Sequence, residues 1–217
     1  MKTRIHILII LLFALISCSN KGAKQENSTS IDTVETFPIE TIKRVCFERK
    51  THYNLDSLNL SKLQIIDSSF FKKWFDKRIV ANIENTNIVF DQNSRYYFFD
   101  FKDLDKLFLF SIIYNDEIGY NHLYHFTFDK EKNEINQIDL IAQTSGDGGE
   151  NNIDILNFNQ NGDKFRLTSI STYDEDFDKG YIRQYDSTIT DIEFNNRKTI
   201  FNKINSMSRL DTIWNNR

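Results

Sequence analysis

Apolar and polar positions alternate in short runs over most of this chain, and small polar clusters separate the runs. Residues 96–101, 107–114, 120–128, 135–142, 153–158, 165–173, 181–194 and 199–204 are each rich in aromatic or branched aliphatic side chains. That composition suits a pleated, half-buried strand. Between the runs lie Asn115-Asp116, residues 129–133, 145–149, 159–163 and 174–180, and Asn195-Asn196. Asn161-Gly162 is the strongest hairpin signal, because both residue types tolerate the positive φ of a type I′ turn. Connections this short cannot hold the crossover helices of a parallel sheet, so the pattern predicts an antiparallel meander. In 107–114 both alternating faces are apolar, which predicts a strand covered on both sides. In 120–128, Tyr120, His122, Tyr124, Phe126 and Phe128 form one face. Asn121, His125, Thr127 and Asp129 form a mainly polar one, interrupted by Leu123.

Two segments precede this β-rich stretch. Residues 41–49, with Val45 and Phe47 flanking Cys46, predict a first strand. Asp67-Ser68-Ser69 followed by Phe70, Phe71, Trp74, Phe75 and Ile79 predicts a short helix. Asp or Ser at its start caps free backbone N–H groups, and positions 71, 74 and 75 share one face. The expected fold is therefore mostly β, an antiparallel meander with one short helix near its start. Sandwich, open sheet and barrel all remain open. Residues 41–217 read as one β-rich domain, long enough to bury a real core, with 19 Phe and 9 Tyr to fill it.

The first residues follow a different pattern. Lys2 and Arg4 precede an unbroken apolar run over residues 7–16. Ten helical residues reach ~15 Å, about half of a ~30 Å hydrocarbon core, which suits an export signal better than a membrane span. The run ends in Leu15-Ile16-Ser17-Cys18, which resembles the lipobox of bacterial lipoprotein precursors. The resemblance covers about twenty residues, and no family is recognised for residues 40–217. It implies cleavage after residue 17, a diacylglycerol thioether on Cys18 and an acylated amino group. Two or more acyl chains give stable membrane anchoring. In that class, Ser19 beside the cysteine implies sorting to the outer membrane. The lack of acids in residues 19–24 implies the periplasm-facing leaflet. Residues 18–40, rich in Lys, Asn, Ser and Thr with Pro38 near the end, read as a flexible tether.

Charge narrows the functional classes. The chain carries 27 Lys+Arg and 31 Asp+Glu. Such a mildly acidic balance, without a basic stripe, excludes general nucleic-acid binding. With Cys18 taken by lipid, Cys46 stands alone, so no intramolecular disulfide forms and the core must hold the fold.

Candidate chemistry is sparse. Asp174, Asp176 and Asp178 alternate ahead of Gly180 as in a calcium loop, but Lys179 and Tyr185 occupy the positions where the EF-hand pattern wants Gly and Glu. A solvated acidic turn is the simpler reading. The segment 157–162, followed by Asp163, repeats the spacing with neutral amides. Residues 145–150, which contain Asp147, hold three of the seven glycines, and a functional loop is sought there first. His122 and His125 are an odd number of residues apart, so a strand sends them to opposite faces and they do not share a metal. Cys46 with His52, His122 or His125 makes a formal nucleophile pair without local support. No cofactor is implied. The expected function is a non-enzymatic interaction module of the cell envelope with a protein or glycan partner. A calcium- or small-ligand-binding protein and a carboxylate glycan hydrolase are the alternatives.

Overall fold

A computed structural model describes residues 36–76, 91–146, 150–177, 179–195 and 199–214. The leader, Cys18, most of the tether, Ile79, Asp147 and Asp178 lie outside the described residues.

The segment expected to form the first strand is mainly helical. Helix α1 (Ile39–Val45) follows Pro38, carries Glu40 in its first turn and Lys43 and Arg44 in its last. Those charges complement the helix dipole. Ile39 and Ile42 recur at helical spacing, and Ile42 is fully buried. Strand pairing begins only at β1 (Phe47–Glu48) and continues at β2 (His52–Asn54). The one predicted helix is present as α2 (Ser68–Phe71), which widens into a π-type turn over Lys72–Asp76. Asp67 caps it by accepting from the Phe70 backbone N–H at 2.9 Å. Among the described residues there are thus two short α-helices where one was expected.

Eight longer strands follow: β3 (Arg95–Asp103), β4 (Leu107–Asn115), β5 (Asn121–Asp129), β6 (Glu134–Gln143), β7 (Glu150–Phe158), β8 (Lys164–Phe177), β9 (Gly180–Phe194) and β10 (Thr199–Trp214). They form two five-stranded sheets, β1-β3-β4-β5-β6 and β10-β9-β8-β7-β2. Every pairing is antiparallel except β1 with β3. The meander is a sandwich, called here sheet A (β1, β3–β6) and sheet B (β2, β7–β10).

Sheet A is covered on both faces. One face carries Tyr96, Phe98, Phe108, Phe110, Phe126 and Phe128, which pack with Ile42, Phe71, Trp74 and Phe75 from the helical segments. The other presents Tyr97, Phe99, Leu109, Ile113 and Leu123 to Leu156, Phe158, Phe165, Ile192 and Phe194 of sheet B. Strand β4 is therefore buried on both sides, as its two apolar faces predict. Strand β5 differs from expectation. Its polar-looking face is the one between the sheets, where His125 and Thr127 are 0% and 1% exposed. Periodicity could not reveal this, because polar side chains enter a core when neighbouring strands supply partners.

The β7–β8 turn departs from type I′. Only Gly162 has positive φ, at 71°, and its N–H donates to the Asn159 carbonyl at 3.1 Å. A Cβ at Gly162 would meet Lys102 Cγ at 3.1 Å and Arg49 Cδ at 3.3 Å, so glycine serves both conformation and packing here.

The larger difference lies at the end of the chain. The expected loop at 174–180 is mostly strand, because β8 runs on to Phe177 and pairs with β9 down to Gly180. The last strand, expected to end at residue 204, continues to Trp214. Strand β7 pairs with β8 only as far as Tyr173. The far ends of β8, β9 and β10 therefore form a three-stranded blade. At its tip Gly180 stands between Phe177 and Trp214 in register. A Cβ there would lie 2.1 Å from the Ile213 carbonyl oxygen, so the tip closes only around glycine.

Candidate functional site

Two places in the sandwich carry more than packing: a buried charged cluster between the sheets, and the exposed blade.

The cluster forms where the chain leaves sheet A for sheet B. Arg49 follows β1, and its N–H donates to the Phe101 carbonyl at 2.8 Å before β2 joins the other sheet. The register of β3 against β4 slips between Phe98 and Phe101, so two residues, Phe99 and Asp100, oppose the single Ser111. This bulge delivers a carboxylate to the arginine. Arg49 Nε donates to Asp100 Oδ2 at 2.9 Å and Nη2 to Oδ1 at 3.0 Å. Nη1 reaches the Gly162 carbonyl at 2.9 Å. Nη2 also approaches Ser111 Oγ and His125 Nδ1, both at 3.2 Å. The guanidinium lies 4.7 Å from the centre of the Phe158 ring. Both charged side chains are within 2% of complete burial.

Each neighbour responds to this environment. Burial, helped by the Arg49 charge, holds the His125 imidazole well below its usual range. The ring is therefore neutral and accepts the arginine N–H through Nδ1, which leaves the proton on Nε2. That atom is buried without a hydrogen-bond partner, and the ring stacks on Phe194 at 3.6 Å. Burial, reinforced by Asp100, raises the Tyr53 hydroxyl above its ordinary value. The same two influences raise the Cys46 thiol, so it is a protonated, inert core group rather than a nucleophile. The cluster ties β1, β3, β4, β5 and the β7–β8 turn together. It holds a closed ion pair, not an open catalytic constellation.

The histidine has a measurable consequence. Its unfolded-state pKa is near 6.5 and its folded value lies well below. The unfolded chain therefore binds a proton that the folded one refuses, and this contribution to stability is full above pH ~6.5 and lost as pH falls. The expected slope is about 1.4 kcal/mol per pH unit for one proton. Urea unfolding of wild type and His125→Gln between pH 7 and 5 should converge as pH drops. Parallel curves would mean that the folded ring takes up its proton at the same pH as the unfolded one.

Two other acids are held above the usual carboxylate range by burial, Asp139 and Asp154. Both have donors joining the sheets: Thr199 Oγ1 on Asp139 and the Gln143 N–H on Asp154. A cleft of about 730 Å³ lies over Asn157, Lys164, Arg166, Asp191, Glu193 and neighbouring residues of sheet B. Its charges are already matched, Arg166 with Asp191 at 2.7 Å and Lys164 with Glu193 at 3.0 Å.

The acidic residues singled out from the sequence fall in separate places. Asp163 accepts from Asn159 Nδ2 at 2.8 Å inside the β7–β8 turn. Asp174 sits at the other end of β8, roughly 35 Å along the strand, and forms a double hydrogen bond with Arg183 at 2.7 Å. That arginine holds its carboxyl below the usual range. Asp176 is exposed on the blade. Ser145, beside the glycine-rich stretch, forms a bridge with Asn152. Among the described residues no group of three or more His, Cys, Asp or Glu side chains is placed to hold a metal ion. His122 and His125 do face opposite ways: His122 Nε2 lies 3.2 Å from Asp116 Oδ2, while His125 faces sheet B. Cys46 is a free, buried cysteine.

The blade is the opposite environment. The side of sheet B that packs on sheet A carries Tyr173 and Leu210 at the root of the blade and Phe177, Ile182 and Trp214 along it, interspersed with Glu175 and Gln184. All five are exposed, Leu210 at 69% and Trp214 at 62%. Phe177 and Trp214 meet edge to face at 5.5 Å. Burying these side chains elsewhere would be favourable, and large exposed apolar side chains grouped on one face mark an interaction surface. The reverse side is polar, with the Asp174–Arg183 pair and Arg209 over the Tyr185 ring at 5.4 Å.

These features define a two-sheet, largely antiparallel β-sandwich with an exposed blade. Neither the known family models, nor the curated proteins, nor the solved structures include a match to this chain. No helix among the described residues is long and apolar enough to cross a membrane.

Sequence reasoning missed both places. The one legible sign of the cluster is Asp100 within the aromatic run Tyr96-Tyr97-Phe98-Phe99-Asp100-Phe101. A lone acid there needs a buried partner. The blade is signalled by Ile204, Met207, Leu210, Ile213 and Trp214 recurring every one to three residues to the end of the chain.

Proposed function

We propose that this is a lipid-anchored protein of the bacterial cell envelope, held by Cys18, whose β domain is a non-enzymatic interaction module. The observation that supports this most directly is the row Tyr173, Phe177, Ile182, Leu210 and Trp214, large apolar side chains kept in water on a blade outside both hydrophobic clusters. The core is already filled without them, so folding alone does not require them. The tether and acyl chains would keep this face near other envelope components.

The test is chemical cross-linking of the full-length protein in native membranes, comparing wild type with Cys18→Ala, Leu210→Asp and Trp214→Asp. Cys18→Ala is expected to leave the membrane fraction. The two blade variants are expected to stay anchored yet lose cross-linked products at least ten-fold. Undiminished cross-linking in both blade variants would remove the blade as the interacting face. Retention of Cys18→Ala in membranes would remove the anchor.

A further inference from the structure

Strand β10 has an unusual position for its length. It spans sixteen residues, lies at the edge of sheet B, and pairs with β9 along its whole course. Among the described residues no strand pairs with its outer side. A long exposed edge offers a row of free N–H and C=O groups to another chain, and proteins ordinarily blunt such edges with charge, proline or bulges. Here the register with β9 shifts once, between Lys203 and Asn205. Beyond that point Ser206–Trp214 runs without proline or further irregularity, and its charged residues are Arg209 and Asp211.

We propose that β10 pairs with β10 of a second copy of this chain, antiparallel and centred on Leu210, joining sheet B of one copy edge to edge with sheet B of the other. The proposal rests on the reading of the blade as an interaction face and names the partner of that face.

Symmetry limits the registers. A two-fold contact between identical edge strands is self-complementary. To keep like faces together, the axis must pass through a residue rather than between two. Centring on Arg209 or Asp211 sets like charges against each other. Centring on Ser208 sets Arg209 against Met207 and Asp211 against Asn205. Centring on Leu210 sets Arg209 against Asp211 of the partner, twice over. It also opposes Met207 to Ile213, Ser208 to Thr212, and Leu210 to itself. Inside the outermost pair, Ser206 with Trp214, apolar then meets apolar, hydroxyl meets hydroxyl, and every charge meets its opposite, which is how cross-strand pairs stabilise a sheet.

The faces agree with this register. Strand pairing with β9 places Met207, Arg209, Asp211 and Ile213 on the polar side of the blade, and Ser206, Ser208, Leu210, Thr212 and Trp214 on the apolar side. Arg209 and Asp211 are already neighbours, at 2.8 Å within one strand, so pairing two strands would make an alternating square of four charges. On the other side the two Leu210 side chains would meet at the axis, with each Trp214 at an end of the contact opposite Ser206 of the partner. Nine paired residues extend the contact over ~30 Å.

The register makes the test sharp. Full-length Leu210→Cys in native membranes should form a dimer under mild oxidation or with a short bis-maleimide, because residue 210 faces itself. Ser208→Cys and Thr212→Cys, each about 13 Å from its own copy at ~3.4 Å per residue, should link at least ten-fold less. The double variant Ser208→Cys/Thr212→Cys should link efficiently. Asp211→Arg in the Leu210→Cys background should abolish the link, and the swap Arg209→Asp/Asp211→Arg should restore it. Absence of any link at position 210, or equal linking at 208, 210 and 212, would overturn the proposal. If Leu210→Cys fails to link while Leu210→Asp still abolishes cross-links to other envelope proteins, the interaction module stands and only the self-pairing falls.

Discussion

Replacing Arg49 with alanine is expected to lower the unfolding free energy by about 3–5 kcal/mol, measured by urea denaturation at pH 7. Most of this loss is not the value of the ion pair itself. The substitution leaves Asp100, 1% exposed, without its cation in a low-dielectric interior, and also strips a donor from the Gly162 carbonyl. Asp100→Ala should cost a similar amount by stranding the guanidinium. The pair Arg49→Met/Asp100→Leu should recover much of the loss, because it removes both charges and keeps volume. A double-mutant cycle with a coupling energy below about 0.5 kcal/mol would show that water reaches the pair and that it is no tie between the sheets. Arg49→Lys should not rescue, since an ammonium cannot reproduce the forked contact with both carboxylate oxygens.

Phe110→Ala is expected to cost about 3–5 kcal/mol as well, for an unrelated reason. Phe110 is fully buried on the helix-covered face of sheet A. Its ring stacks on Phe126 at 4.6 Å and lies 5.7 Å from Phe108 and 5.8 Å from Phe37. Deleting it removes transfer free energy and leaves a cavity that rigid neighbouring rings cannot close. The exposed Phe201 provides the contrast, 50% accessible on β10. Phe201→Ala should change stability by no more than about 0.5 kcal/mol, in the range of ordinary surface substitutions. Similar losses at both positions would mean that the sandwich core is loosely packed.

Much of the fold was legible from residues alone, for reasons that are local. Apolar residues on both alternating faces of residues 107–114 marked a strand covered on both sides, because burial on both sides tolerates apolar residues at nearly every position. Asp67 ahead of Ser68 marked a helix start, because a short acceptor there satisfies a free N–H. The segment 41–49 reads as a strand by its β-branched residues, yet Ile39–Val45 coils, because Ile39 and Ile42 gain more by packing on sheet A than by pairing. The acidic stretch from Asp174 reads as a loop by composition. It is a strand because Arg183 stands opposite Asp174 on β9, and cross-strand charge pairing tolerates what burial would not.

Sequence by itself determined the β class, most strand positions and the capped helix at Ser68, since each depends on neighbours within a few positions. Tertiary structure alone decided that Arg49, Asp100, Ser111 and His125 meet, because they come from three strands and the crossing beyond a fourth, and a bulge aims the carboxylate. It alone decided that β10 is an edge, because a strand's place in a sheet depends on long-range pairing that its own residues do not encode. The buried ion pair and the bare edge are both products of topology, and a linear pattern of polar and apolar positions records neither.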